Sequence, residues 1–241
     1  MRATSEETTK SRRLLRQQRS ARREMGNFIT CTAAALILSV ISTAQARPHE
    51  SSGMKRIVVL GDSLSEGFRL ARAEAYPALL AQKLDAAGLS YEVVNASVSG
   101  DTSAGGLRRL PTYLTKKIDI LVLELGVNDA FRGVPVDQIR ANLQTIIDRT
   151  RAKNPNVAIV VVGMNFVTDG NDDYVRAFGE MFSQLATENH AALVFSLLAG
   201  VAGDPTLNLP DRVHPNAAGH RILAENVWRV LEPVAREVAP H

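Results

Sequence analysis

The sequence is poor in cysteine, because Cys31 is the one cysteine among its 241 residues. Cys31 lies near the start of an apolar stretch at residues 28–44, which is the wrong place for a lipoprotein attachment site. If this N-terminal part is removed, the mature chain has no disulfide, no thiol nucleophile and no cysteine-based metal site. Its stability outside the cytoplasm must then come from the hydrophobic core.

The chain also lacks an excess of basic side chains outside its N-terminal part. Its formal charge is +3, but residues 1–46 contain eight of the 28 Lys and Arg residues and three of the 25 Asp and Glu residues. The other residues therefore carry 20 basic and 22 acidic side chains, a net charge of −2. This balance gives no support to a nucleic-acid partner.

Long apolar runs are scarce, and the one at residues 28–44 has 17 residues. An Arg-rich segment precedes it, and "AQA" at residues 44–46 supplies small residues for a cut before Arg47. We predict a secretory signal peptide over residues 1–46, with an uncleaved membrane anchor as the alternative. Met25 is an alternative start. Residues 47–54 would then form a polar tether on a periplasmic or secreted protein.

The rest of the chain alternates short apolar runs with helical patterns. The runs are rich in β-branched residues, which is typical of strands buried on both faces, and they lie at residues 56–60, 91–96, 118–125, 157–164 and 192–195. Helical patterns lie at residues 75–87, 106–116, 136–153, 172–189 and 217–230, with Asn216 as a candidate N-cap of the last. This alternation predicts one α/β domain over residues 55–241, a flavodoxin-like three-layer α/β/α sandwich with a five-stranded parallel sheet.

Ligands of such sheets bind beyond the carboxyl ends of the strands, and the first strand ends in "GDSLSEG". Gly61 permits a tight turn, and Ser63 follows it where backbone N–H groups favour negative charge. Ser63 is therefore a candidate nucleophile, although it could simply cap the turn. A phosphate cradle is another alternative, but the segment lacks the lysine of a P-loop and is not G-x-G-x-x-G.

Two later strand ends offer donors for an oxyanion. Gly100 follows the second strand, where its N–H could approach a substrate, and Asn128 follows the third strand with an uncharged amide. A plain turn glycine and an Asx-turn residue are the alternatives. We interpret the neighbouring Asp129 as structural.

A base and its partner occur close to the C-terminus, in "LPDRVHPN". Asp211 and His214 are three residues apart, so the carboxylate can orient one imidazole nitrogen and leave the other free for a serine proton. A surface pair is the alternative. A metal site that includes His220 is disfavoured because no third ligand has suitable spacing.

Taken together, the blocks "GDSLSEG", "NASVSGDTSAGGLRRL", "LELGVND" and "DRVHPN" resemble those of the SGNH (GDSL) hydrolases over residues 55–235. Within that family the chain is similar to the periplasmic branch of acyl-CoA thioesterases, lysophospholipases and arylesterases. The resemblance implies Ser63, Asp211 and His214 as catalytic residues and Ser63, Gly100 and Asn128 as the oxyanion hole.

The resemblance implies a serine esterase or thioesterase that forms an acyl-enzyme on small acyl substrates, without a metal or organic cofactor. We expect a monomer that has neither a nucleic-acid partner nor a stable membrane anchor once the signal peptide is cut. A carbohydrate O-acetyl esterase is the alternative within this class, and a non-catalytic α/β protein that binds an anion is the alternative outside it.

The chain departs from the family pattern at two places that bear on the substrate. Val127 stands where close relatives have glycine, and "MNFVTDGNDDY" lacks the proline-bearing segment of this branch. We predict substrate-binding positions at Val127, Met164, Asn165 and Phe166.

Overall fold

The computed structural model describes residues 54–164 and 173–239. Within them, five parallel strands form one sheet in the order β2-β1-β3-β4-β5. The strands are β1 (Lys55–Leu60), β2 (Tyr91–Asn95), β3 (Ile120–Leu123), β4 (Ala158–Val162) and β5 (Ala192–Val194). All residues of β3 are buried, as are the last four of β1 and of β4, which accounts for their continuous apolar sequences.

Helices cover the sheet and complete the predicted three-layer α/β/α architecture. They are α1 (Ser63–Glu66), α2 (Tyr76–Ala86), α3 (Ser103–Tyr113), α4 (Val127–Phe131), α5 (Val136–Lys153), α6 (Asp173–Glu188) and α7 (Ala217–Val238). The α2 helix packs against α7, whereas α5 packs against both α3 and α6. None of the helices in this part of the chain combines the length and the hydropathy that a bilayer crossing requires.

The strand order fixes where a ligand can bind. The chain goes from β1 outward to β2, and then returns to the other side of β1 to form β3. The carboxyl ends of β1 and β3 therefore frame the crevice at which the winding direction reverses, the usual ligand site of an open parallel sheet. The short helices α1 and α4 begin just beyond these two strand ends.

The five predicted strands and the five predicted helices are all present in the described residues, but α3 and α7 have different bounds. The last helix was predicted to end at residue 230 but continues to Val238, because Leu231 and Ala235 are fully buried and Pro233 removes only one backbone bond. Asn216 is confirmed as its N-cap and accepts hydrogen bonds from two backbone N–H groups of the first turn.

The α3 helix begins at Ser103, three residues before the predicted start, with Thr102 as its N-cap. Residues 103–105 had been assigned to the preceding loop. They lie in the helix instead, because the Thr102 side chain caps it by accepting the Gly105 N–H. A Cβ on Gly106 would overlap Leu125, so only a glycine lets the helix approach the end of β3 this closely.

Candidate active site

Ser63 is the first residue of α1 and follows directly on the turn that ends β1. The turn is tight because a Cβ on Gly61 would lie 2.5 Å from the Glu124 carboxyl group. Asp62 caps the helix by accepting the N–H of Leu64 at 3.0 Å. Ser63 is thereby held at the carboxyl edge of the sheet with 8% of its surface exposed.

His214 lies next to Ser63 although 151 positions separate them in the sequence. The His214 Nε2 atom is 3.1 Å from Ser63 Oγ, and Nδ1 is 3.0 Å from Asp211 Oδ2. The ring of Phe68 packs on the imidazole, with 4.4 Å between the ring centroids. The three residues predicted as nucleophile, base and orienting acid thus form one hydrogen-bonded series.

The charge of Asp211 fixes the tautomer of that series. Its carboxylate accepts the backbone N–H groups of His214 and Val213, both at 3.0 Å, and these bonds lower the pKa of Asp211 to about 2. An ionised carboxylate only accepts hydrogen bonds, so Nδ1 of His214 carries the ring proton. Nε2 is then free to accept the hydroxyl proton of Ser63.

The backbone N–H groups of Ser63 and Gly100 have no hydrogen-bond acceptor within residues 54–164 and 173–239. Gly100 has a positive φ of 77°, which a glycine adopts without strain. Its loop is tied to α1 because Glu66 accepts both the N–H and the hydroxyl of Ser99. The structure thus brings the predicted oxyanion donor Gly100 to the helix that carries Ser63.

Asn128 lies in the first turn of α4, beyond the end of β3. Its amide nitrogen donates to Asp62 Oδ2 and to the carbonyl of Asp101, both at 3.0 Å. Both amide hydrogens therefore have acceptors already, and an oxyanion would have to replace one of them. Asn128 is thus hydrogen-bonded to Asp62, the residue that precedes Ser63.

Arg109 on α3 is a residue that sequence reasoning missed. Its guanidinium donates to the carbonyl of Gly61 at 2.7 Å, to the carbonyl of Ala96 and to the carboxylate of Asp101. These bonds join the ends of β1 and β2 to the loop that contains Gly100. The sequence offers no signal for this role, since nothing in "GGLRRL" separates Arg109 from Arg108.

Asp129, interpreted as structural, contacts α3 and not the catalytic series. Its two carboxylate oxygens accept the backbone N–H of Ser103 at 2.7 Å and the Ser103 hydroxyl at 2.6 Å. It therefore binds the N-terminal end of α3, where a negative charge is favourable.

Two further carboxyl groups lie behind the nucleophile and were not identified from the sequence. Glu124 is fully buried and accepts the Asp62 N–H at 3.2 Å and the Ser65 hydroxyl at 2.5 Å, while its other oxygen has no partner among the described residues. Burial, reinforced by the charge of Asp62, raises the pKa of Glu124 well above its usual range. Burial also raises the pKa of Asp62 to about 7.

His220, weighed above as a metal ligand, is a core residue of α7. It has 1% of its surface exposed, and its Nδ1 accepts the backbone N–H of Tyr76 at 3.1 Å. Burial lowers the pKa of His220 to about 4, so the ring is neutral at physiological pH.

Of the predicted substrate-binding positions, Val127 and Met164 are buried, with 6% and 2% of their surface exposed. Asn165 and Phe166 lie outside the described residues. A contact between substrate and any of these four positions stays a prediction.

The site has the arrangement of a serine hydrolase. A serine hydroxyl, an imidazole and a carboxylate form a series at the switch point of a parallel sheet, and backbone N–H donors lie nearby. Residues 59–222 match the model of the GDSL-like lipase/acylhydrolase family. The chain belongs to this family and is an ester-hydrolysing enzyme.

Known proteins similar to the chain agree with this assignment. It is 37% identical over 186 residues to esterase TesA of Pseudomonas aeruginosa, and the aligned region covers 77% of this chain and 92% of TesA. It is 34% identical over 179 residues to thioesterase 1/protease 1/lysophospholipase L1 of Escherichia coli K12, across 74% of this chain and 84% of that protein. The crystal structure of TesA superposes with a TM-score of 0.71 and covers 75% of this chain and 99% of its own.

Proposed function

We propose that the protein hydrolyses carboxylic esters and acyl thioesters through an acyl-enzyme on Ser63. Ser63 is the nucleophile, His214 the general base and acid, and Asp211 the group that orients His214. The observation that carries the proposal is the pair of hydrogen bonds of 3.1 Å and 3.0 Å that joins the three side chains. The name of the Escherichia coli relative, which includes both thioesterase and lysophospholipase, supports the breadth of the substrate class.

In the first half of the reaction, Nε2 of His214 accepts the proton of Ser63 Oγ while Oγ bonds to the carbonyl carbon. The carbonyl oxygen becomes an oxyanion held by the N–H groups of Ser63 and Gly100 and by the Asn128 amide. The tetrahedral adduct then expels an alcohol or thiol, which takes the proton from His214. Water repeats the sequence on the acyl-enzyme and releases the carboxylic acid.

Asn128 can join this oxyanion hole by exchanging one of its two present acceptors. We expect the oxyanion to replace one of these two acceptors, the Asp101 carbonyl or Asp62 Oδ2. The hole then forms as the substrate binds, at the expense of one hydrogen bond.

The proposal is tested with p-nitrophenyl acetate, butyrate and decanoate. We expect Ser63→Ala to lower kcat by about 10⁴-fold or more on every substrate, because the acyl-enzyme cannot form. The exposed Ser90 offers the matched control Ser90→Ala, which should keep the wild-type rates. Equal rates for wild type and Ser63→Ala on all three esters would refute the proposal.

The same series separates the alternatives. A rate optimum at acetate, with little turnover of decanoate, would favour the carbohydrate O-acetyl esterase. Folded protein that turns over none of the esters, nor the corresponding CoA thioesters, would favour the anion-binding protein.

We also propose that residues 1–46 direct export and are removed before Arg47, so that the enzyme acts in the periplasm or outside the cell. We propose separately that it is a monomer. N-terminal sequencing of the secreted protein should begin at Arg47. Recovery of a form that keeps residues 28–44 in the membrane fraction would identify the alternative, an uncleaved anchor.

A further inference from the structure

A cavity of about 730 Å³ lies beside α1, between the segment that follows this helix and the end of β2. Its walls include Glu66, Phe68, Arg69, Arg72, Val93 and Ser97. The volume is within the range of about 300–1,000 Å³ that is typical of small-molecule sites. None of the roles assigned above uses this space.

The position of the cavity relative to His214 indicates which part of a substrate it receives. In the proposed reaction the departing alcohol or thiol takes its proton from His214 Nε2, so it must lie against the imidazole. Phe68, whose ring centroid is 4.4 Å from that of His214, is also a wall of the cavity. The cavity and the catalytic imidazole therefore share one neighbouring side chain, that of Phe68.

Two exposed guanidinium groups face this space without an acidic partner. Neither Arg69 nor Arg72 has a carboxylate within ion-pair distance among residues 54–164 and 173–239. The Arg69 guanidinium lies 5.0 Å from the centroid of the Phe68 ring. A guanidinium presents several N–H groups in one plane, which suits the oxygens of a phosphate group.

Glu66 is the one acidic side chain of the cavity wall. It would repel an anion, but one of its carboxylate oxygens already accepts the N–H and the hydroxyl of Ser99. With two arginines against one glutamate, the charged groups of the wall sum to a positive charge.

We propose that this cavity binds a phosphate-bearing leaving group of the acyl substrate, with Arg69 and Arg72 as the ligands of the phosphate. The inference rests on the proposed function, because the cavity is assigned to the leaving-group side of the Ser63 reaction. Two sources supply this chemistry: the phosphodiester of a lysophospholipid and the phosphates of a CoA thioester.

The test compares three decanoyl substrates: 1-decanoylglycerol, which is neutral, 1-decanoyl-lysophosphatidylglycerol and decanoyl-CoA. The quantity measured is the ratio of kcat/KM on each phosphate-bearing substrate to kcat/KM on the neutral ester. We expect the double variant Arg69→Gln/Arg72→Gln to lower this ratio about tenfold. Added salt should lower the ratio in the wild type more than in the double variant, because exposed charges are screened.

Two further variants make the test specific. Glu66→Gln removes the repelling charge and keeps an acceptor for Ser99, so the ratio should rise about twofold, opposite to the arginine variants. Arg149→Gln, an exposed arginine near the far end of α5, should leave the ratio unchanged.

If the double variant lowers the ratio for the lysophospholipid alone, the cavity binds a lipid headgroup. If it lowers the ratio for decanoyl-CoA alone, the cavity binds the phosphates of a nucleotide thiol. An unchanged ratio in the double variant, or a wild type that hydrolyses neither phosphate-bearing substrate, would overturn the inference. Failure of the proposed function has a different signature, namely equal hydrolysis of 1-decanoylglycerol by wild type and Ser63→Ala.

Discussion

The Glu124 carboxyl group supports the nucleophile turn from behind. It accepts the N–H of Asp62 and the hydroxyl of Ser65, which flank Ser63 in the sequence, while it is fully buried at the end of β3. Burial penalises the charge of this group and raises its pKa well above the usual range. One of its oxygens accepts from both donors and so joins the residues on either side of the nucleophile.

Glu124 should therefore make stability depend on pH. Its pKa is raised in the folded state, so above an unfolded value of about 4.3 the native protein binds the extra proton and loses stability as pH rises. Glu124→Gln mimics the neutral acid and removes this dependence. We expect its free energy of unfolding, relative to wild type, to improve as pH rises above about 4.3, by up to about 1.4 kcal/mol per pH unit.

Urea unfolding at several pH values measures this difference. The matched control is Glu237→Gln, which changes an exposed glutamate near the end of α7 and should follow the wild-type pH dependence. A Glu124→Gln curve parallel to that of the wild type would show that Glu124 ionises in the folded protein as it does in the unfolded chain.

The α3 helix holds two separate strand ends in register with the site. Arg109 projects from this helix onto the carbonyl groups that end β1 and β2 and onto Asp101, next to Gly100. The side chains of this ion pair are 18% and 15% exposed, so the pair is largely shielded from water. The position of the Gly100 N–H therefore depends on a side chain of α3.

We expect Arg109→Lys to destabilise the protein by about 2 kcal/mol, because an ammonium cannot satisfy these three acceptors together. It should also lower kcat on p-nitrophenyl butyrate more than it raises KM, because a displaced donor weakens transition-state binding. Thermal unfolding and steady-state kinetics measure both effects. Arg108→Lys, on the exposed side of the same helix, is the control, and equal behaviour of the two variants would contradict this role.

Elements set by local patterns were predictable from the sequence, whereas boundaries set by packing were not. The strands follow from short β-branched runs, and the N-cap Asn216 from its position before the last helix. The early start of α3 depends on the contact of Ser103 with Asp129, and the late end of α7 on the burial of Leu231. Such contacts join residues far apart in the sequence, so no local pattern reports them.

The same distinction holds for the candidate site. Ser63, Asn128 and His214 could be placed because each follows a strand or a recognisable turn in a sheet whose strand ends share one edge. Glu124 and Arg109 could not, because their roles arise from bonds across 59 and 48 positions of the sequence. A glutamate within an apolar strand was the available signal for Glu124, since a buried carboxyl group requires partners.

At the scale of the whole molecule, the parallel sheet joins groups from both ends of the domain into one reaction site. The winding reversal between β1 and β3 brings the Ser63 turn next to the start of α4, and the loop before α7 adds His214. Asp62 links two of these parts directly, through its contacts with Leu64 and Asn128. The fold therefore supplies positioning, and the side chains supply proton transfer and charge.

A fluorophosphonate probe measures this convergence most directly, because it reacts with a serine only when a nearby base activates the hydroxyl group. Intact mass spectrometry followed by peptide mapping should find one adduct per chain, on Ser63. Labelling should be slower by orders of magnitude in His214→Ala and absent in Ser63→Ala. An adduct on any other residue, or equal labelling of wild type and Ser63→Ala, would contradict the account.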